Sequence, residues 1–528
     1  MSFLKSFSTF SFFTFISRIF GFLRDVINAR VLGAGMLSDA FFIAFRLPNL
    51  FRSLFAEGAM NSAFIPIYSK KLTHCEQDAP QFIGKIIFLI GIFLIFFCGL
   101  AEIFMPEILS VIAPGFDKTN EYFEIGIQLG RIMFPFLFFI TITAIYGCAI
   151  QSHGNFIPTS SYPIIMNIVL ITASFIPFLI PAFSLAYGVI VSGILQLIFL
   201  ICSAKYYKIQ IGFPIFDKNF FNYDVKHFFR KLLPSILTSC VTRIGITIDT
   251  MIASSTVGAV SYIYYSDRLY QLPLSIVGVT LANVLLPSLS RITSKMNHLK
   301  KNDLYIEHKE LSDKLKIIQS RIFEFAFILI LPATIGLYLL SNDIVALLFG
   351  NDNGKFSQES LKATSNFLKI LCIALPANIL NNIFNSILFA NHITKFTTKT
   401  AIYTLILNLT INFTLFYKFN YGYECVAVAT VLSSYFNAIV LGVFCKENGF
   451  LHSIEDFSRI KYIFFTNMAL SLLISTLNLL KNIFLIPSTF KWNLFLIIEI
   501  VTVIYVYFKI LNYNGKFKLN DFKKLFID

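Results

Sequence analysis

The chain has 528 residues, 56% of them hydrophobic and only 14% charged, with 62 phenylalanines and a formal net charge of +14. A soluble domain carries roughly 25% charged residues, so this balance excludes an ordinary globular protein and points to a chain built for lipid. A transmembrane β-barrel is excluded too: it would show alternating segments of about ten residues, whereas apolar runs of roughly 20 residues recur here, each long enough to cross a hydrocarbon core about 30 Å thick as a helix.

In chain order, hydropathy and turn residues predict fourteen helices, at about 8–33, 37–69, 85–113, 122–150, 158–181, 184–206, 228–257, 260–291, 318–349, 360–390, 396–418, 424–445, 459–480 and 490–511. The fold class is therefore an all-α polytopic membrane protein. The first segment has one lysine, a short apolar run and no small-residue cleavage site before Arg18, and reads as an uncleaved helix. An even number of spans puts both termini on one side. With that side cytoplasmic, about 28 of the 43 Lys and Arg fall in cytoplasmic segments, about 6 in external loops and about 9 within spans, a positive-inside asymmetry. The largest contributions come from the linker between Lys205 and Lys231 and the loop between Arg291 and Arg321. The net charge thus reflects topology and contact with anionic membrane lipid, and nucleic acid is not an expected partner.

Helices 2 and 8 of this set resemble each other. GMLSDAFF (Gly35, Ser38, Phe41, Phe42) recurs as GAVSYIYY (Gly258, Ser261, Tyr264, Tyr265), and FIPIYSK at Pro66 recurs as LLPSLSR at Pro287, with offsets of 223 and 221 residues. Two related six-helix lobes followed by two extra helices would explain that spacing, the alternative being chance matching within a low-complexity aromatic alphabet. The expected divisions are residues 1–210, residues 211–447 with a basic cytoplasmic linker, and residues 448–528 with two further helices and a cytoplasmic tail.

No catalytic set rises above background, so an enzyme is not expected. GNDNGKF at Gly350 to Phe356 is one residue short of a Walker A motif and has Phe where Ser or Thr must ligate magnesium. The eight cysteines are scattered without a C-x-x-C pair, and the seven histidines show no ligand spacing, so neither a metal nor a cofactor is expected. What remains is charge inside spans, which costs a few kcal/mol per residue and normally faces a polar cavity and a partner. Arg18 and Asp25 are seven apart and share a helix face within about 20°. Asp39, Arg46 and Glu57 form a second stripe, with Pro48 expected to bend the helix between them. Asp267 and Arg268 stand together in YYSDRLYQLP.

Arg18, Arg24, Arg52 and Arg268 are the candidate substrate-binding residues, because a guanidinium gives bidentate hydrogen bonds to phosphate and keeps its charge when desolvated. Asp25, Asp39, Glu57 and Asp267 are candidate cavity acids or gating pairs. For Asp25, Arg30 and Arg46 interhelical salt bridging is an equal alternative, and Arg30 can simply snorkel. Asp249, Asn408, Asn412 and Thr430 are a weaker set that could hold a small cation, although Asn and Thr in membrane helices more often bond a neighbouring helix.

At these residues the sequence resembles a known family. SRIFGFLRDVINARVLGAGMLSDAFFIAFRLPNLFRSLFAEGAMNSAFIPIYSK, beginning at Ser17, and YYSDRLYQLPLSIVGVTLANVLLPSLS, beginning at Tyr264, are similar to the MurJ (MviN) lipid II flippases of the multidrug/oligosaccharidyl-lipid/polysaccharide exporter superfamily. The resemblance implies a bacterial inner-membrane protein of fourteen helices with a central cavity between two lobes, carrying lipid II, an undecaprenyl-diphosphate muropeptide, from the cytoplasmic to the periplasmic leaflet by alternating access. It places Arg18, Arg24, Arg52 and Arg268 at the functional core, makes the cell-wall synthesis machinery a candidate partner, and gives the last two helices a groove for the lipid tail. Thr397 stands where the family often has proline. Asn408 and Asn412 come without a carboxylate, which leaves the membrane potential or a monovalent cation open as driving force. The rivals are a flippase for another oligosaccharide-diphosphate lipid, a drug/cation antiporter of the same superfamily, which would favour acids and aromatics in its cavity, and a non-transporting scaffold, which would tolerate loss of the arginines.

Overall fold

The structure is a computed structural model that describes residues 3–55, 58–74, 76–117, 119–213, 220–301, 305–350, 355–451, 457–483 and 489–513. Among these residues there are α-helices and short helical turns and no strand. Nineteen α-helices fall onto the fourteen expected segments, because five segments are each carried by two helices. The first half contains α1 (Phe3–Leu32), α2 (Met36–Phe55), α3 (Ala59–His74), α4 (Ala79–Ile103), α5 (Met105–Ile112), α6 (Glu121–Met133), α7 (Phe136–Ser152), α8 (Ile157–Ala173), α9 (Pro181–Tyr206) and α10 (Tyr223–Ala253). Then come α11 (Ala259–Lys301), α12 (Tyr305–Leu339), α13 (Ser341–Phe349), α14 (Gln358–Cys372), α15 (Leu375–Ala390), α16 (Thr394–Phe413), α17 (Cys425–Glu447), α18 (Phe457–Ile483) and α19 (Thr489–Tyr513).

The breaks have local causes. Pro106 starts α5, Pro135 precedes α7, and Pro376 starts α15, where the two halves of the segment bend by 41°. Each proline removes an N–H donor and is best placed in a first helical turn. α2 runs through Pro48 to Phe55, so the bend expected there does not end the helix. Eight helices or joined pairs among the described residues are long and apolar enough to cross a membrane, and the α14/α15 pair makes a ninth. The protein is a multi-pass membrane protein. Its outward surface is apolar, with Ile95, Phe96, Phe175 and Phe178 exposed, the surface lipid requires.

The chain divides into two compact units, Met1–Tyr264 with Asn351–Ser360, and Tyr265–Gly350 with Leu361–Asp528. In the first, α8 packs between α1 and α9, α6 and α10 lie against α2, and α7 joins α3, α4 and α9. An aromatic cluster of Phe64, Tyr68, Phe82 and Phe228 ties α3, α4 and α10 together. The segment after α9 is pinned to the start of α4, where Gly212 N–H donates to Pro80 O at 2.9 Å. In the second unit α17 packs on α15 and α16, and α12 packs on α15 and α18.

Two glycines of α4 give opposite expectations. A Cβ on Gly84 would lie 1.9 Å from Gly212 O, whereas Gly99 has nothing within 4 Å. Gly84→Ala should therefore lower the unfolding temperature of the purified protein by several degrees, and Gly99→Ala should hold or raise it, because alanine is favoured in a helix by about 1 kcal/mol. Equal effects from the two would contradict this packing.

Candidate functional site

Lipid offers a polar group no partner, so the placement of the charges expected from sequence is governed by what protein groups can reach them. In the first unit Arg24 and Asp25 form an ion pair, with Arg24 Nη2 2.7 Å and Nε 3.0 Å from Asp25 Oδ1. Their side chains are 11% and 3% exposed. The other edge of the guanidinium is held by α8: Arg24 Nη1 donates to Asn167 Oδ1 at 3.0 Å, and Asn167 Nδ2 donates back to Ser17 O of α1 at 3.0 Å. Tyr264 Oη, at the start of α11, donates to the same Asp25 oxygen at 3.1 Å. Side chains from α1, α8 and α11 thus fix one fork in place.

Arg18 is exposed, and Asp25 turns to its neighbour Arg24 instead of to Arg18 seven residues away. Arg30 is exposed in the last turn of α1, a position that also suits the negative end of the helix dipole. Arg46 is a cross-link: its Nη1 donates to Ile246 O at 3.0 Å and to Thr250 Oγ1, both on α10. Arg52 is half-buried and its Nε donates to Asn49 Oδ1 at 3.2 Å within α2. Glu57 lies outside the described residues.

Asp39 caps another helix. It is buried, and its two oxygens accept from Gly258 N–H at 2.6 Å, Ser261 N–H at 2.8 Å and Ser261 Oγ at 2.5 Å. These amides belong to the residue just before α11 and to its first turn, where a carboxylate also meets the positive end of the dipole. Ser38 Oγ lies 2.9 Å from Ser261 Oγ, and the Phe42 ring stacks on Tyr264 at 4.0 Å. The two copies of the internal repeat, GMLSDAFF and GAVSYIYY, therefore meet each other. Beside them Gly33 (φ +73°) lets Lys355 O approach a position where its Cβ would lie 2.1 Å away, and Lys355 Nζ donates to Val31 O at 3.0 Å.

Asp267 and Arg268 lie in the second unit, where Gln271 Nε2 donates to Asp267 Oδ2 at 2.5 Å and Arg268 is half-buried. Of the weaker set, Asp249 is in the first unit. Asn408, Asn412 and Thr430 are in the second, where Asn412 Nδ2 donates to Asn408 Oδ1 at 3.1 Å, Asn408 Nδ2 to Ser433 Oγ at 3.2 Å and Thr430 Oγ1 to Val426 O at 2.8 Å. The second unit also contains an apolar cavity of ≈ 340 Å³ between α12, α13, α18 and α19, lined by Pro332, Gly336, Leu470, Ile474, Val503 and Tyr507 among others. Tyr507 turns its Oη away to Ile328 O at 2.8 Å, leaving a hydrocarbon wall.

Sequence reasoning passed over Asn167 and Tyr264, which position the Arg24–Asp25 pair. The signal for Asn167 was present, since it is a lone amide in the apolar run of α8. It also passed over buried Glu324 and Glu499 in α12 and α19, the first paired with Arg459 of α18 at 3.5 Å. Replacing Asp39 by Ala should cost about 1–3 kcal/mol of stability by stranding the α11 amides, and Ser38→Ala should cost less. Thermal unfolding in detergent micelles measures both.

Residues 28–505 match the sequence profile of a family described as "Lipid II flippase MurJ". A probable lipid II flippase MurJ of Rickettsia prowazekii (strain Madrid E) is 35% identical over 394 residues, 74% of each chain. Another, of Buchnera aphidicola subsp. Schizaphis graminum (strain Sg), is 31% identical over 538 residues, 98% of this chain and 99% of that relative. Among solved structures, one described as lipid II flippase MurJ in an inward closed conformation superposes with a TM-score of 0.76 at 24% identity, covering 96% of this chain and 99% of that one. An inward-facing multidrug resistance MATE family transporter of the MOP superfamily superposes with 0.65 at 13% identity, covering 82% and 94%. Both share the all-α fold.

Proposed function

Because the chain belongs to the lipid II flippase MurJ family, we propose that it moves lipid II across the bacterial inner membrane, from the cytoplasmic to the periplasmic leaflet, with both termini cytoplasmic. The observation that carries the reading is the Arg24 fork, 11% exposed and held between Asp25 and Asn167 inside a membrane helix. A desolvated guanidinium with its geometry already fixed loses little further entropy on binding a diphosphate, and two parallel N–H donors match two phosphate oxygens. Arg18, Arg52 and Arg268 complete the proposed headgroup set. Asp25 keeps Arg24 paired while no ligand is bound and yields part of that pairing to phosphate. The antiporter rival wants the opposite charge in its cavity.

The undecaprenyl tail is proposed to lie along the apolar cavity of α12, α13, α18 and α19, where burial of hydrocarbon needs no polar partner. Ligand binding drives the change of access only through different affinities for the two states. The membrane potential is the proposed driving force. Asn412 donates to Asn408 and Asn408 to Ser433, the commoner use of such residues, which favours the potential over a resident cation at Asn408, Asn412 and Thr430. The enzymes that consume lipid II at the outer leaflet are the proposed neighbours.

In cells depleted of their own flippase, this chain should prevent lipid II from accumulating on the cytoplasmic face, and Arg24→Ala, Arg18→Ala, Arg52→Ala and Arg268→Ala should each fail while still reaching the membrane. Normal rescue by all four overturns the cationic site. Arg268→Lys should rescue in part if bidentate contact matters. Replacing sodium by choline should leave transport intact, whereas collapsing the membrane potential should stop it.

A further inference from the structure

The second unit holds a polar seam that the transport reading does not use. Asn378 Nδ2 of α15 donates to Tyr270 Oη at 2.6 Å and to Ser434 Oγ of α17 at 3.2 Å, and Asn381 Nδ2 donates to Ser434 O at 3.1 Å. On the other side of α17, Asn408 Nδ2 of α16 donates to Ser433 Oγ at 3.2 Å. The Asn408–Ser433 bond and the stacked rings of Phe396 and Phe444 set α16 antiparallel to α17. In that register Thr404, one turn before Asn408, stands level with Asn437, one turn after Ser433. Around α17, Asn437 lies about 40° from Ser433 and about 60° from Ser434, in the seam between α16 and α15.

The register places three oxygens at this seam: Asn381 Oδ1, Asn437 Oδ1 and Thr404 Oγ1. Each is buried, and none has a hydrogen-bond partner among the described residues. Asn381 is only 7% exposed. Its orientation is set by chemistry, because turning the amide over would bring its oxygen against the Ser434 carbonyl. An amide oxygen can only accept, whereas a threonine hydroxyl both donates and accepts. Two acceptors and one donor are the complement of a single water molecule, which donates twice and accepts once, within the usual number of partners for a buried water.

We infer that one water molecule is bound in this seam, donating to Asn381 Oδ1 and Asn437 Oδ1 and accepting from Thr404 Oγ1, so that it joins α15, α16 and α17. A hard cation is the poorer occupant: it takes about six or more oxygens and usually carboxylates, and the seam offers three neutral oxygens. The water couples side chains on three helices and makes them move as one piece. The inference is independent of what the protein transports.

The test is the stability of the full chain in detergent or nanodiscs. Asn381→Leu and Thr404→Val should each lower the unfolding temperature by a few degrees, and the double variant should lose less than the sum, because either change alone already releases the water. Strictly additive losses would overturn the inference. Exchanging sodium for choline at constant ionic strength should leave the unfolding temperature unchanged. A sodium-dependent rise that Asn437→Leu abolishes would replace the water by a cation. If the variants do not fold, an experimental density map of the unsubstituted chain decides: a spherical peak about 3 Å from all three oxygens supports the water, and a direct Thr404–Asn437 hydrogen bond overturns it.

Discussion

A guanidinium in hydrocarbon must bring its counter-charge and its hydrogen-bond acceptors with it, and the rest of the first unit is arranged around that demand. Arg24 takes a carboxylate from the next residue of its own helix and an amide from α8, and the carboxylate in turn takes a phenol from α11. Removing one partner of such a pair leaves an uncompensated charge, which costs several kcal/mol. Through Asn167 and Tyr264 the pair ties α1 to α8 and α11, and it holds one cation inside the unit.

The same constraint governs helix ends. A helix that starts inside a membrane protein needs acceptors for its first amides, and α11 obtains them from Asp39 of α2. The repeat makes this possible, since the related starts of α2 and α11 come together with Ser38 against Ser261. Asp39 is thus an acid in a span whose carboxylate closes a structural contact, beside Asp25, whose carboxylate holds a guanidinium. Residue type and burial are alike in the two cases, and the partner differs.

The second unit treats its interior differently. Apart from Asp267, Arg268, Glu324, Arg459 and Glu499, the polar groups described in its helices are mostly neutral amides and hydroxyls arranged across α15, α16 and α17. Neutral groups give cohesion between membrane helices without the desolvation cost of charge. The cavity beside α18 and α19 is walled almost wholly by apolar side chains.

Much of this was legible in the residues. The fourteen segments, the all-α class, the intramembrane arginines and the repeat at Gly35 and Gly258 follow from hydropathy, spacing and motif, because a span must be apolar over a fixed length whatever it packs against. The breaks at Pro106, Pro135 and Pro376 fell inside segments expected to be continuous, because a proline can be carried inside a membrane helix, as Pro48 is, or end one. What spacing could not assign is partnership. Seven residues on one helix face put Arg18 with Asp25, but the tertiary structure gave Asp25 to Arg24 and Tyr264, turned Asp39 toward the α11 amides and fastened Arg46 to α10. Helical period determines which way a side chain leaves its own helix. Only the packing of several helices decides which donors and acceptors it meets, and in lipid that meeting decides whether a charge holds the fold together or stands ready for a ligand.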